Sequence, residues 1–233
     1  IGDVTEIPAE KFAENFQLRS VNILGTVKTI GKGAFQYCYF LESLIIGEGV
    51  ESIKDVAFQY CYRNLTSIVI PDSVTEIGYA AFFNCQSVTS LVIGSGVTSI
   101  DASAFRFNPV DDQIKLNAIA LGNNYAISKF NDFFPPEVYP KILNITLGDS
   151  VTSIAENAFY GCSGLTEITI PDSAESIGNA AFRECTGLTS LSIGNNVKSI
   201  AENAFRKCTS LKEVSISSSL NYIGDSAFYD CQN

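Results

Sequence analysis

The chain of 233 residues contains no histidine, no tryptophan and no methionine. The absence of an imidazole excludes a histidine base, a histidine metal ligand and a Ser-His-Asp triad. No apolar run reaches the roughly 18 residues of a membrane span, so we expect no membrane insertion. Acidic residues outnumber basic ones, 25 to 15, and the net charge is −10. A negative surface repels phosphate, which makes nucleic acid a poor partner.

What the chain does contain is a regular series of seven cysteines. Successive gaps are 23, 24, 77, 23, 23 and 23 residues, and the cysteines are Cys38, Cys61, Cys85, Cys162, Cys185, Cys208 and Cys231. A fixed period of this size is typical of a solenoid, in which each repeat is one coil stacked on the next. We therefore predict a single domain over 1–233.

The cysteine frame divides the chain into units. They are a partial unit at 1–15, repeats at 16–38, 39–61, 62–85 and 86–108, a degenerate unit with insertions at 109–138, and repeats at 139–162, 163–185, 186–208 and 209–231. The sequence starts at Ile1, without an initiator methionine or a signal-peptide pattern. From this we expect a mature or trimmed fragment whose first repeat is incomplete.

One repeat, at residues 65–85, reads LTSIVIPDSVTEIGYAAFFNC. Ile68 and Ile70 are spaced by two, the period of a strand, so we expect them to face inward while Val69 faces out. Pro71 ends the strand, and the later apolar positions, such as Phe82, fill the interior. One strand per coil predicts a parallel sheet with strands about 4.8 Å apart.

The pattern IPxSVTxIGxxAFxxC, with its cysteine late in the repeat, resembles the BspA-like leucine-rich repeats. The resemblance covers nearly the whole chain outside 109–113 and 137–141. It implies an α/β fold: a right-handed leucine-rich repeat solenoid with a parallel sheet on the concave face and short helical or irregular turns on the convex side. The family consists of secreted or surface-anchored proteins of bacteria and some parasitic protists, and some members are adhesins. The resemblance therefore implies a secreted or cell-surface location.

The cysteines have three functional interpretations, which are a metal site, a nucleophile or disulfides. No closely spaced cysteine pair suits a metal, and no histidine is present to activate a thiolate. Equivalent side chains on stacked coils have Cβ atoms about 5 Å apart, whereas a disulfide requires about 3.8 Å. The number of cysteines is also odd. We predict buried free thiols that pack as small apolar groups.

Aromatic residues beside the phenylalanine turn differ between coils, so the repeat itself does not require them. The repeat frame is interrupted at 109–141, and this interruption contributes two further aromatic candidates. The predicted partner-binding residues are therefore Tyr37, Tyr39, Tyr60, Tyr62, Phe134 and Tyr139. Exposed apolar strips often mark interaction surfaces. The alternative is that these aromatics only cover the edge of the core.

A second candidate surface is the concave face, where the outward strand residues Ile45, Val69 and Val92 form an apolar row. The other outward residues are small and nearly uncharged, and the face lacks the Trp, Tyr and Arg of typical hot spots. The alternative here is a sheet face that requires only small residues between tight neighbours.

The interruption contains Asp111, Asp112, Asn131 and Asp132, whose oxygens could ligate calcium. These residues are split in sequence and form no calcium-loop motif, so an ordinary solvated loop is favoured. We predict no metal and no cofactor.

The leading functional hypothesis is a non-catalytic, monomeric binding or adhesion module for a protein ligand, such as a host matrix or cell-surface protein. Nothing in the sequence stands out as a nucleophile with its base. The alternatives are a structural spacer for another domain and a hydrolase that works without histidine.

Overall fold

The computed structural model describes residues 4–108 and 114–231, and they form a parallel β-solenoid of about nine turns with little helix. The chain divides into two compact units. Unit one is Ile1–Leu116 with Asp132–Phe134, and unit two is Asn117–Asn131 with Pro135–Asn233. The predicted solenoid and its parallel sheet are confirmed. The single domain over 1–233 stays a prediction.

In unit one a strand of four residues alternates with a strand of two along the chain. The strands are β1 (Glu6–Ile7), β2 (Ser20–Ile23), β3 (Thr29–Ile30), β4 (Ser43–Ile46), β5 (Ser52–Ile53), β6 (Ser67–Ile70), β7 (Glu76–Ile77), β8 (Ser90–Ile93) and β9 (Ser99–Ile100). The short strands form one parallel sheet in the order β1-β3-β5-β7-β9. Among the longer strands, β2 pairs with β4 and β6 with β8, again in parallel.

Unit two repeats this alternation after two long strands. Its strands are β10 (Ala118–Asn123), β11 (Asn144–Ser150), β12 (Ser153–Ile154), β13 (Glu167–Ile170), β14 (Ser176–Ile177), β15 (Ser190–Ile193), β16 (Ser199–Ile200), β17 (Glu213–Ser215) and β18 (Tyr222–Ile223). The longer strands are ordered β17-β15-β13-β11-β10, and the short ones β12-β14-β16-β18.

The helical segments are short and lie in the interruption. They are α1 (Asn124–Ser128), α2 (Phe130–Phe133) and a 3-10 helix (Pro136–Lys141). The Asn123 side chain caps α1 by accepting a hydrogen bond from the Ala126 amide at 2.9 Å. Within the described residues, no helix has the length and apolar character needed to cross a membrane.

The longer strands show the predicted alternation of buried and exposed side chains. In β6, Ile68 and Ile70 are buried while Ser67 and Val69 are exposed. The short strands were not predicted, because two residues are too few for a periodic pattern to register. All of them except the terminal strands β1 and β18 still contribute a buried isoleucine, such as Ile77 of β7.

Phenylalanine rings stack through the core at one position per coil. In unit one, Phe35 and Phe58 have centroids 5.1 Å apart and Phe58 and Phe82 5.2 Å, with planes within 6° of parallel. The stack continues to Phe105 at 5.4 Å. In unit two, Phe182 and Phe205 stack at 5.2 Å. The turns that carry these rings are joined by backbone hydrogen bonds between coils, so each ring has a fixed height in the stack.

Candidate partner-binding surface

The cysteines are structural. Six of the seven are buried and Cys231 is partly exposed, and all are free thiols. Most of them donate a hydrogen bond from Sγ to the phenylalanine carbonyl of the preceding coil, as Cys85 does to Phe58 at 3.4 Å. Burial raises the pKa of Cys85 to about 12. The predicted burial is confirmed for six of the seven cysteines, and a thiol held in its protonated form is a poor nucleophile.

The four predicted tyrosines lie together in unit one. Tyr37 stacks on Tyr60 with centroids 5.3 Å apart and planes 16° apart. Tyr39 packs on Tyr62 at 5.1 Å, and the edge of Tyr37 meets Tyr39 at 5.9 Å. All four side chains are half-buried. We call these four residues the tyrosine surface.

The repeat register places these rings together. Tyr37 and Tyr60 precede the cysteines of successive coils, and Tyr39 and Tyr62 follow them. Neighbouring coils are spaced like strands, about 4.8 Å apart, and ring centroids just over 5 Å apart follow from that spacing.

Tyr37 and Tyr60 adopt left-handed backbone conformations, with φ of 61° and 62°. Their amides donate across the coils, Tyr37 to the Gln59 carbonyl and Tyr60 to the Phe83 carbonyl, each at 2.9 Å. A non-glycine residue in this region costs roughly 1–2 kcal/mol, and a stacked aromatic pair returns about 0.5–1.5 kcal/mol. The equivalent position in unit two is Gly161, which adopts φ of 75° without that cost.

The Tyr39 hydroxyl stays protonated at neutral pH. The pKa of Tyr39 is raised from its ordinary value, first by partial burial and then by the neighbouring Tyr62. The tyrosine surface presents aromatic rings with hydroxyls, which as a group can both donate and accept hydrogen bonds.

Two residues outside the predicted binding set extend this surface. Phe40 and Arg63 occupy the second position after the cysteine on successive coils. The Arg63 guanidinium lies 5.1 Å from the Phe40 ring centroid and 5.4 Å from that of Tyr62. The same register that paired the tyrosines could have identified this cation–π contact.

The third coil replaces these aromatics with buried polar side chains. Asn84, Gln86 and Ser87 stand at the three positions that Tyr60, Tyr62 and Arg63 occupy one coil earlier. The Asn84 Oδ1 accepts hydrogen bonds from Gln86 Nε2 and from the Asn108 backbone N–H, both at 2.9 Å. Ser87 Oγ donates to the Arg63 carbonyl at 2.8 Å.

Together these residues line a groove of about 940 Å³ within unit one. One end is aromatic, formed by the tyrosine surface and Phe40. The other end is polar, formed by the Asn84 and Gln86 amides with Lys115 beside them. A large groove that combines apolar faces with a few fixed polar groups is typical of a binding site.

Two of the predicted residues are not available to a partner. Phe134 is 0% exposed and stacks on Phe105 with centroids 6.3 Å apart and planes 27° apart. It extends the core stack of unit one, and Phe133 meets Phe105 only edge-on. Tyr139 is 8% exposed, and its hydroxyl donates to Asn131 Oδ1 at 2.9 Å. Placing both at a binding surface was wrong, because the interruption supplies core residues.

The alternative surface on the long strands of unit one is exposed. Ile45 on β4 is 55% exposed and Val69 on β6 is 50% exposed. Val69 pairs in register with the half-buried Val92 on β8. This row presents apolar area without a charged or hydrogen-bonding group among its three side chains.

The calcium hypothesis gains no support. Asp111 and Asp112 lie outside the described residues. The Asn131 amide is used within unit two, where Nδ2 donates to the Asn157 carbonyl at 2.8 Å. Within the described parts of the chain, no three His, Cys, Asp or Glu side chains are grouped as metal ligands would be.

A protein-family model matches most of the chain. The BspA type leucine-rich repeat region matches residues 5–129 and 138–233 with six copies. The chain therefore belongs to the BspA-type leucine-rich repeat family. No curated protein matches it.

Several solved structures of bacterial leucine-rich repeat proteins are similar. One from Bacteroides ovatus is 24% identical, with a TM-score of 0.46, and the alignment covers 99% of this chain and 75% of that one. One from T. pallidum is 21% identical, with coverages of 90% and 72% and a TM-score of 0.46. A leucine-rich cell surface protein from Faecalibacterium prausnitzii is 26% identical, with coverages of 93% and 65% and a TM-score of 0.39.

Proposed function

We propose that this chain is a non-catalytic adhesion module of a secreted or surface-exposed protein, and that a protein partner docks on the tyrosine surface. Repeat proteins of this kind serve protein interaction in general, and the extracellular location is taken from the family. The finer assignment, to host matrix or cell-surface proteins and to these residues, is the proposal.

The observation that carries the proposal is the grouping of Tyr37, Tyr39, Tyr60 and Tyr62 at positions where the fold accepts small residues. Unit two has Gly161 and Ser163 at the same two positions of one coil and folds with the same turn. Rings that the repeat does not require are available for binding. Tyrosine buries a large area with few rotamers to immobilise.

The test is binding to immobilised, purified matrix and host-surface proteins. The variant combines Tyr37→Asn and Tyr60→Asn, which suit positive φ, with Tyr39→Ser and Tyr62→Ser. We expect binding to fall at least about tenfold, which is a modest loss for four interface aromatics. The matched control is Tyr160→Ser with Tyr229→Ser, which removes two exposed tyrosines from unit two.

Two outcomes would count against the proposal. If the four-tyrosine variant binds like the wild type while Ile45→Ser, Val69→Ser and Val92→Ser together abolish binding, the site is the strand face. If no protein of the panel binds the wild-type chain, the spacer hypothesis replaces the adhesion module.

A further inference from the structure

The polar end of the groove holds a hydrogen-bond donor for which the described residues supply no acceptor. The Asn108 backbone N–H can only donate, so the Asn84 atom facing it is the oxygen, which also receives Gln86 Nε2. This fixes the orientation of the Asn84 amide. No described residue accepts a hydrogen bond from Asn84 Nδ2, although the residue is only 5% exposed. Nδ2 itself still reaches the surface.

Because Asn84 Nδ2 is fixed in orientation and reaches the surface, it can donate a hydrogen bond to an acceptor on a ligand. The Asn84 side chain lines the groove, so the ligand that supplies this acceptor would sit there.

The described charged side chains that line the groove have one sign. Arg63 and Lys115 are exposed and line it, and no aspartate or glutamate of the described residues lines it with them. Neither cation forms an ion pair with another residue of the described chain. In a protein with a net charge of −10, most of the surface repels an acidic partner, and this groove is a local exception.

Arg63 is also held in place. Its guanidinium contacts both the Phe40 and the Tyr62 rings, and its backbone carbonyl accepts a hydrogen bond from Ser87 Oγ. A guanidinium that contacts aromatic rings still has N–H groups that can bind a carboxylate through two parallel hydrogen bonds.

We infer that the groove binds an acidic, extended segment of the partner protein. Its carboxylates pair with Arg63 and Lys115, a carboxylate or backbone carbonyl accepts from Asn84 Nδ2, and its apolar residues pack on the tyrosine surface. This inference rests on the proposed function and adds the chemistry of the recognised segment. A protein segment fits better than a free anion, because the aromatic end of the groove requires apolar surface on the same ligand.

The probe is a fluorescein-labelled decapeptide of alternating glutamate and proline, since proline holds the segment extended and packs well on aromatic rings. The matched probe replaces every glutamate with glutamine. Fluorescence anisotropy should give at least about tenfold tighter binding of the glutamate peptide, and raising salt from about 50 to about 300 mM should reduce that preference. Equal binding of the two peptides, or no binding at about 1 mM, would overturn the inference.

Three single variants localise the effect. Arg63→Gln and Lys115→Glu should each weaken glutamate-peptide binding about tenfold or more, as expected when one charge-assisted contact is lost. Asn84→Asp keeps an oxygen for the Asn108 and Gln86 donors but replaces the free donor with an anion, and should weaken binding to a similar degree. Lys212→Glu, a change of the same charge at an exposed cation in unit two, should leave binding unchanged.

The remaining outcomes separate the two proposals. If the partner protein requires the four tyrosines but is indifferent to Arg63→Gln, Lys115→Glu and Asn84→Asp, the adhesion module stands and the acidic segment is wrong. If a sialylated oligosaccharide binds at least tenfold more tightly than the glutamate peptide, the groove takes an acidic glycan and the peptide inference fails. All variants are first compared with the wild type by thermal unfolding, so that lost binding is not mistaken for lost folding.

Discussion

The ring of Tyr37 lies parallel to the ring of Tyr60, 5.3 Å away, and both residues have left-handed backbone. The fold requires the backbone conformation but not the rings. Conformational strain and ring stacking are therefore coupled at these two residues, and substitution changes both at once.

Replacing both residues with asparagine should change stability little. Tyr37→Asn with Tyr60→Asn relieves strain of roughly 1–2 kcal/mol per residue and loses stacking of about 0.5–1.5 kcal/mol together with some buried apolar area. Because these effects oppose each other, we expect the free energy of unfolding in urea to stay within about 1 kcal/mol of wild type. A loss of several kcal/mol would mean that the tyrosines are structural rather than available for binding.

Val56 should be a site where stability can be gained. It has φ of 51°, which is especially unfavourable for a β-branched side chain. The equivalent residues of unit two, Asn157 and Asn203, are asparagines at φ of 55° and 56°. We expect Val56→Asn to raise the free energy of unfolding by about 1 kcal/mol, measured by urea denaturation. The β-branched control Val56→Thr should give no gain, and an equal gain from threonine would refute the strain argument.

Gly94 should not tolerate a side chain. A Cβ atom there would lie 2.6 Å from both the carbonyl carbon and the oxygen of Pro71 on the preceding coil. Backbone atoms cannot move aside as the end of a flexible side chain can, so Gly94→Ala should destabilise by about 1–3 kcal/mol. Thermal unfolding checks this, with Ser67→Ala at an exposed strand position as the control expected within about 0.5 kcal/mol. An unchanged melting temperature for Gly94→Ala would contradict the close approach of the coils.

Alkaline pH should destabilise the fold through its buried thiols. Burial raises the pKa of Cys85 from 9.0 to about 12 in the folded chain. Above pH 9 the unfolded thiol ionises while the folded one stays protonated. The stabilisation is therefore complete below about pH 9 and is lost as the pH rises towards 12. Urea unfolding at pH 8 and pH 10.5 should show a smaller pH-dependent loss in Cys85→Ala than in wild type. Identical losses in the two proteins would contradict this.

Thiol accessibility offers an independent check on the cysteines. Cys231 is the partly exposed one among the seven, so in the native protein at pH 8 an alkylating reagent should modify it first. Cys231→Ser should remove the fast phase and leave the slow modification of the buried thiols. Denaturation without reductant should then expose six thiols in this variant, and fewer would indicate disulfides.

The periodic parts of the molecule could be predicted from the sequence. Alternation in Ile68 and Ile70 and the cysteine spacing were enough to predict the longer strands and their parallel stacking. The contacts among the four tyrosines were not predicted, although they follow from the same register, because equivalent residues on neighbouring coils are close. The pairing of Phe40 with Arg63 follows from the same rule, although composition alone gave no reason to examine it.

The interruption could not be predicted in the same way. Its insertions break the frame, so the sequence did not indicate that Phe134, rather than Phe133, would continue the stack on Phe105. The buried amide of Asn84 was also missed, since asparagine near a turn is ordinarily exposed. Its amide oxygen accepts from Asn108 on the following coil, a contact between coils that the local sequence does not reveal.

The hydrogen bonds between coils link ligand binding to local opening of the backbone. The amides of Tyr60 and Asn84 donate to the next coil, at 2.9 and 2.8 Å, while their side chains line the groove. A ligand that spans these coils must be released before the coils can separate locally, so occupancy stabilises the closed form against opening. Hydrogen–deuterium exchange at these two amides should slow when the groove is filled, which makes the backbone itself a reporter of occupancy.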